Sequence, residues 1–413
     1  MIKKEIIMNS CNLCEGKQLY KLIDFGAHPI AHDYLKTPSN DEYVHPVTLY
    51  FCETCGHIQL INPIPPDLLY ENYVCLSSWK HQPHIPRLAR IIEELNDIKK
   101  TSTILEVGSN DGRFLQVLKE HGYKKIIGME PAHDAQIAAG QKGVITIPSY
   151  FNKKTAEGFV ENYGHCDLFI SRQMLEHIND LKDFHDAMDV VLSPGGFVVF
   201  EVPNFNCSLD TLDYTLWEEH VNYFTLETLT RFLAYSGIKI IHSEKILFSG
   251  EALIVIGKKV DIPLEPPKDY MEALRAKAIN YSKSWPKFRN AFIKYLDDHK
   301  TAGGKVAVYG AGARVNSLIN FVGLGPYIEF IVDDQQEKQG LFVPGSNLPI
   351  LSGDALEKYS IDLCLLAVNT ESEEKAISKH PEFIKKGGKF ISVLPPSELL
   401  PHFWKRLIEE SKI

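Results

Sequence analysis

The chain has 413 residues, and its 44 Lys and Arg against 53 Asp and Glu leave a formal charge of −9. A content of 44% apolar and 23% charged residues excludes disorder, collagen and coiled coil as dominant classes. The acidic balance argues against nucleic-acid partners, no apolar run approaches the roughly 18 residues of a membrane span, and the basic Met1–Asn9 stretch lacks the apolar core of a signal peptide. A soluble cytoplasmic protein of two or three domains is expected, with neither nucleic acid nor membrane as partner. Its oligomeric state is left open, a monomer included.

The first pieces of the chain are short, extended and Pro-rich, and carry two Cys-x-x-Cys pairs, Cys11/Cys14 and Cys52/Cys55. Four thiolates on two tight turns match a closed tetrahedral zinc site, structural because no coordination position stays open for chemistry. The 37 residues between the pairs exceed a finger loop, and His57 is a bystander. The segment reads as a metal-stapled module with little core of its own.

A helical period follows at Ile85, Leu88, Ile91, Ile92 and Leu95. From 103 to about 257 short apolar runs alternate with helical stretches: Ile104–Val107, Lys125–Met129, Val144–Ile147, Leu168–Ile170 and Phe197–Val202. This predicts βαβ units on a parallel sheet. Ile238–Ile246 and Ala252–Lys258 have no helix between them and should pair antiparallel at an edge. Asp261–Pro267 reads as a linker, Tyr270–His299 as a long helix, and Lys305–Val393 as a second βα array. The expected division is 1–75, 76–260 and 261–413.

Within the first α/β array, Glu106-Val107-Gly108-Ser109-Asn110-Asp111-Gly112 joins a strand to a helix. Gly108 permits close approach of a ligand to the backbone, Gly112 opens a closely packed helix, and Glu106 is a strand-end carboxylate that needs a partner. Glu130, about twenty residues on, ends the next strand, where a carboxylate can accept from both ribose hydroxyls. The arrangement resembles class I S-adenosylmethionine (SAM) methyltransferases, with their E-x-G-x-x-x-G run, rather than a G-x-G-x-x-G dinucleotide fold. That resemblance implies SAM as cofactor, held by Glu106, Gly108, Asn110, Gly112, Glu130, Pro131, Ser149 and Gln173. It also turns Gln173 and His177 toward the reacting centre.

Past the fifth strand, Trp217-Glu218-Glu219-His220-Val221-Asn222-Tyr223-Phe224 concentrates acid, base and aromatics where open α/β sheets bind ligands. The Cys-x-x-Cys pairs, E-x-G-x-x-x-G, this E-H-x-x-Y-F segment and Lys338-Gln339-Gly340…Pro344-Gly345 recur in that order in bacterial nucleotide-sugar C-methyltransferases. The chain resembles that family over its whole length. The resemblance implies methylation at C3 of a dTDP-4-keto-6-deoxysugar through an enolate. His220 is then the base, Glu219 holds its tautomer or a sugar hydroxyl, His177 donates to the enolate or the C3 hydroxyl, and Tyr223 joins them. Tyr73, Ser77, Ser78, Asn204, Trp217, Arg314 and Lys338 are expected around the nucleotide sugar, Arg314 facing the pyrophosphate from a helix start. The family's Tyr-x-Tyr-x-Ser-Ser run reads Tyr73-Val74-Cys75-Leu76-Ser77-Ser78 here, and Trp217 stands where a tyrosine is common. The alternative is O-methylation of a related sugar, which needs a base but no enolate. A zinc-containing RNA methyltransferase conflicts with the acidic balance. An NAD oxidoreductase conflicts with Val315 in place of the third glycine of Gly310-Ala311-Gly312.

Overall fold

The computed structural model describes residues 9–69 and 82–412. In the N-terminal module, β1 (Leu19–Pro29), β2 (Val44–Cys52) and β3 (Ile58–Leu60) form an antiparallel meander. Its inward side chains do not close on themselves. Phe25 stacks on Phe321 at 4.5 Å and meets Trp285 edge-on at 5.0 Å. Leu22, Phe25, Leu49 and Ile58 belong to one apolar cluster with Leu274, Phe288, Phe292 and Leu318. The small module therefore completes its core on the C-terminal half of the chain, as its size requires.

The central sheet comprises β4 (Thr103–Val107), β5 (Lys125–Met129), β6 (Ile145–Ile147), β7 (Cys166–Arg172) and β8 (Leu192–Pro203). A two-residue strand, β9 (Asn222–Tyr223), leaves this sheet to pair with β3, and β10 (Ile238–Leu247) and β11 (Glu251–Lys259) return to it. Its order is β10-β11-β8-β7-β4-β5-β6, with every strand parallel except β11, which runs antiparallel to both its neighbours. Numbered from β4, that is 3-2-1-4-5-7-6 with the seventh strand reversed, the class I methyltransferase order. Every residue of β4 is buried, because helices cover both faces. β10 alternates buried and accessible residues, as an edge strand does. The strand order reverses between β4 and β7, so the crevice at their carboxyl ends is the ligand position.

The predicted helix spans Met271–Thr301. Pro286 lies inside it, flanked by Trp285 and Phe288, both packed against Tyr214. The last sheet has β12 (Val306–Tyr309), β13 (Phe330–Val332), β14 (Ile350–Leu351), β15 (Leu363–Leu366) and β16 (Lys389–Ser392), all parallel, in the order β14-β13-β12-β15-β16. Its switch point lies between β12 and β15, beside the Gly310–Gly312 turn.

Because Phe25 joins the module to the C-terminal half, Phe25→Ala is expected to destabilise the whole chain by about 3–5 kcal/mol. Urea unfolding followed by tryptophan fluorescence should keep one transition at a lower midpoint. A separate early transition with the main midpoint unmoved would contradict the shared core.

Candidate active site

The four cysteines converge, with Sγ–Sγ distances of 3.5 Å for Cys11–Cys55 and 3.6 Å for Cys14–Cys52. Four thiolates around a tetrahedral zinc 2.3 Å from each sulfur lie ~3.8 Å apart, so the cluster fits zinc. His57 stays outside it, and its Nε2 lies 3.1 Å from Asn222 Oδ1. Asn12, inside the first Cys pair, donates to the same oxygen at 2.8 Å. Asn222 Nδ2 in turn donates to the carbonyls of Ile178 at 2.7 Å and Leu175 at 3.3 Å, in the loop after β7. The knuckle, β9 and that loop thus meet on one carboxamide.

At the switch point, Gly108 has φ +69°, and a Cβ there would stand 2.8 Å from Met174 Cγ. Only glycine keeps the loops after β4 and β7 so close. Gly112, φ +70°, begins the helix Arg113–Glu120, and a Cβ there would press on Ala139 at 3.0 Å. Glu130 accepts the amides of Asn110 at 3.0 Å and Ala132 at 2.9 Å. Pro131 follows it, its carbonyl accepting from Gln136 at 3.1 Å. Glu106 is buried 3.6 Å from Arg172 Nη1, and its Oε2 has no hydrogen-bond partner among the described residues. Both carboxyl oxygens of Glu176 are likewise buried without one.

Burial pushes Glu106 and Glu176 each up to about 8, Arg172 only partly offsetting the effect at Glu106. Glu201 is equally buried, yet Arg172 at 2.9 Å and His84 at 3.1 Å hold it down at about 2. Gln173 is tied to Glu201, its amide to the carbonyl at 2.6 Å and its Nε2 to Oε1 at 3.2 Å. Ser149 is half-buried, its hydroxyl on the Tyr150 carbonyl. An orphaned buried carboxyl, Glu106, directly before a glycine cradle fits SAM, whose ammonium and sulfonium are cationic.

The segment after β8 runs along a cleft between the central sheet and the last α/β unit. Asn204, Trp217, His220, Tyr223, Glu251 and Arg314 are among its lining residues. The His220 ring stands 4.7 Å from that of His177, nearly perpendicular, and 5.0 Å from that of Trp217. Burial, with His177 beside it, pushes His220 well below the ordinary histidine range, so it is a neutral acceptor at pH 7. Tyr223 donates to the Trp217 carbonyl at 3.2 Å, and burial raises its hydroxyl, keeping it protonated. Asn204 donates to Glu251 at 2.5 Å.

Three expectations change. Glu219 does not hold the tautomer of His220: its carboxylate turns the other way, Oε1 2.9 Å from His32 Nδ1 and Oε2 3.7 Å from His177 Nδ1. Arg314 lines the cleft, but its guanidinium binds Asp213 and Thr215 at 2.8 Å and the Ser249 carbonyl at 2.8 Å, clamping the last unit to the central one. Lys338 is buried, donating to the Ala311 carbonyl at 2.8 Å with Asp333 at 3.6 Å, so it braces the Gly310–Gly312 turn instead of closing on a ligand. Tyr73, Ser77 and Ser78 lie outside the described residues. His32 and Asn222 were missed, because no local spacing marks a contact made across most of the chain.

Three family models match in succession: a zinc binding domain over residues 11–70, a methyltransferase domain over 79–243 and a C-methyltransferase C-terminal domain over 273–395. C-methyltransferase NovU of Streptomyces niveus is 26% identical over 409 residues, spanning 95% of this chain and 97% of that protein. Among solved structures, a SAM-dependent methyltransferase from Archaeoglobus fulgidus shares 20% identity over 46% of this chain and 100% of its own, with TM-score 0.36. One from Mesorhizobium loti shares 15% over 42% and 99%, with TM-score 0.33.

A cationic ligand brought beside Glu106 favours its anion. SAM binding is therefore expected to release a proton at pH 7, and to tighten as pH rises toward 8. Titration calorimetry in two buffers of different ionisation enthalpy reads the release. Glu106→Gln should abolish it, and an unchanged release in that variant would remove Glu106 from the account.

Proposed function

We propose that this chain, which belongs to the SAM-dependent C-methyltransferases built from a zinc module, a class I methyltransferase domain and a C-terminal α/β domain, methylates C3 of a nucleotide-bound 4-keto-6-deoxysugar. The observation that carries this reading is the cleft itself. A neutral, half-buried imidazole, His220, faces it from the carboxyl-end side of the methyltransferase sheet, and Arg314 of the second α/β unit borders it. SAM supplies an electrophilic methyl group.

His220 takes the proton from C3, and the C–H electron pair moves into an enolate whose charge rests on the C4 oxygen. His177, with the Glu219 carboxylate beside its Nδ1, donates to that oxygen or to the C3 hydroxyl. Tyr223, protonated and with its ring 6.5 Å from that of His220, presents a second polar edge to the sugar. C3 then bonds to the methyl carbon as its bond to sulfur breaks. Trp217 and Asn204 form the walls around the ring, Trp217 with an indole N–H that has no partner among the described residues. The nucleotide lies toward the Gly310–Gly312 turn, whose helix Ala313–Val322 opens without a side-chain cap among the described residues.

The test is turnover of dTDP-4-keto-6-deoxyglucose with 13C-methyl SAM, followed by carbon NMR. A methyl bonded to carbon is expected; a methoxyl signal would make the enzyme an O-methyltransferase, overturning the enolate step. His220→Asn should lower kcat by roughly 10²–10⁴-fold with SAM affinity unchanged. A fully active His220→Asn enzyme would assign the base elsewhere.

A further inference from the structure

Glu219 is wholly buried, and the group that meets it comes from the zinc module. His32 is itself buried, with Nδ1 2.9 Å from Glu219 Oε1 and Nε2 3.2 Å from the Leu69 carbonyl. The Leu69 carbonyl only accepts, so Nε2 carries hydrogen, and a second proton at Nδ1 sets the ring's charge against the Glu219 carboxylate. The same turn holds the neighbouring acid: the Ala31 amide donates to Glu218 Oε1 at 2.6 Å, and Ser317 Oγ to its Oε2 at 3.1 Å. The Ala31 carbonyl in turn accepts from Asn316 at 2.8 Å. Consecutive residues of the module thus grip consecutive carboxyls beside His220.

We propose that His32 is a positioning residue of the methyl-transfer centre: as an imidazolium delivered by the zinc module, it fixes the Glu219 carboxylate so that its second oxygen stays against His177. Glu219 has two oxygens and two histidines. With Oε1 anchored by His32, Oε2 has one place to go, and His177 keeps an anion at Nδ1 while it serves the cleft with its other nitrogen. The zinc module therefore takes part in turnover, and its role is wider than stability. This rests on the cleft being the methyl-transfer centre.

Among the described residues, the groups facing His32 include Glu219, Glu218, His177, the Leu69 carbonyl and the Trp217 ring, 6.4 Å away centre to centre. Burial works against its charge, but the two glutamates outweigh it and hold His32 above the ordinary histidine range. The pairing holds at neutral pH and is lost as pH rises through that raised value.

Two measurements test this. In the full-length zinc-loaded enzyme bound to S-adenosylhomocysteine, 15N-histidine NMR should find His32 titrating above a free histidine, and Glu219→Gln should lower its midpoint. No sugar is involved, so this result stands or falls apart from the substrate assignment; a midpoint unmoved by Glu219→Gln would overturn the proposal. In turnover, His32→Leu should lower kcat about 10–100-fold with KM and SAM affinity within two-fold. His32→Asn, which keeps a donor near the Nδ1 position, should recover part of that loss and lack the alkaline fall in kcat caused by His32 deprotonation. The double variant His32→Leu/Glu219→Gln should be no worse than Glu219→Gln alone. Additive losses, or an alkaline limb unchanged in His32→Asn, would contradict the coupling.

Discussion

One carboxamide joins the parts of this molecule. Asn222 accepts from the zinc knuckle at Asn12 and His57, and donates to the carbonyls of the loop that carries Glu176 and His177. Inside a protein each unmet end of such a group would cost about 1–3 kcal/mol, so the three segments are held to one geometry. β9 extends that contact by pairing with β3, immediately after the second Cys pair. The zinc ion organises the two turns that bear Asn12 and His57, and their order passes into the segment bearing His220.

The second constraint is charge in a dry place. Glu106, Glu176, Glu201, Glu218 and Glu219 are all buried around the switch point and cleft. Glu201 is settled by Arg172 and His84, and Glu219 has His32 2.9 Å away as an ion-pair contact, whereas Glu106 meets Arg172 only at 3.6 Å and Glu176 has no ion pair among the described residues. Glu106 lies at the strand end where a cationic cofactor belongs, and Glu176 lies within 4.8 Å of the ring nitrogens of His177 and His220. The settled pair forms the scaffold that holds Arg172, Gln173 and His177 still. A site arranged this way discriminates for a cation on the cofactor side and keeps a neutral base, His220, on the acceptor side.

Much of this was legible in the sequence because it is local. Alternation of apolar runs and helical stretches marks the strands of the central sheet, and the absence of a helix between the runs at 238 and 252 marks the antiparallel pair. The Cys spacing and the Glu106–Gly112 turn are local as well. What was not legible depends on contacts far apart in the chain. Glu219 neighbours His220 in sequence, yet both meet His177, and the group nearest the Glu219 carboxylate arrives from residue 32. Arg314 reads as a phosphate ligand from its helix-start position, but Asp213 and Thr215, 99 residues or more away in the chain, take its guanidinium. Lys338 has the same history with the Ala311 carbonyl.

The account turns on a carbanion made by His220 before methyl transfer. It is tested most directly by incubating the enzyme and S-adenosylhomocysteine with dTDP-4-keto-6-deoxyglucose in D2O, so that no methyl can move, and following C3 by NMR. Deuterium entering C3 with the wild type, and not with His220→Asn, is the predicted result. Retention of the C3 proton by a wild type that methylates the same sugar with SAM would contradict a separate enolate step.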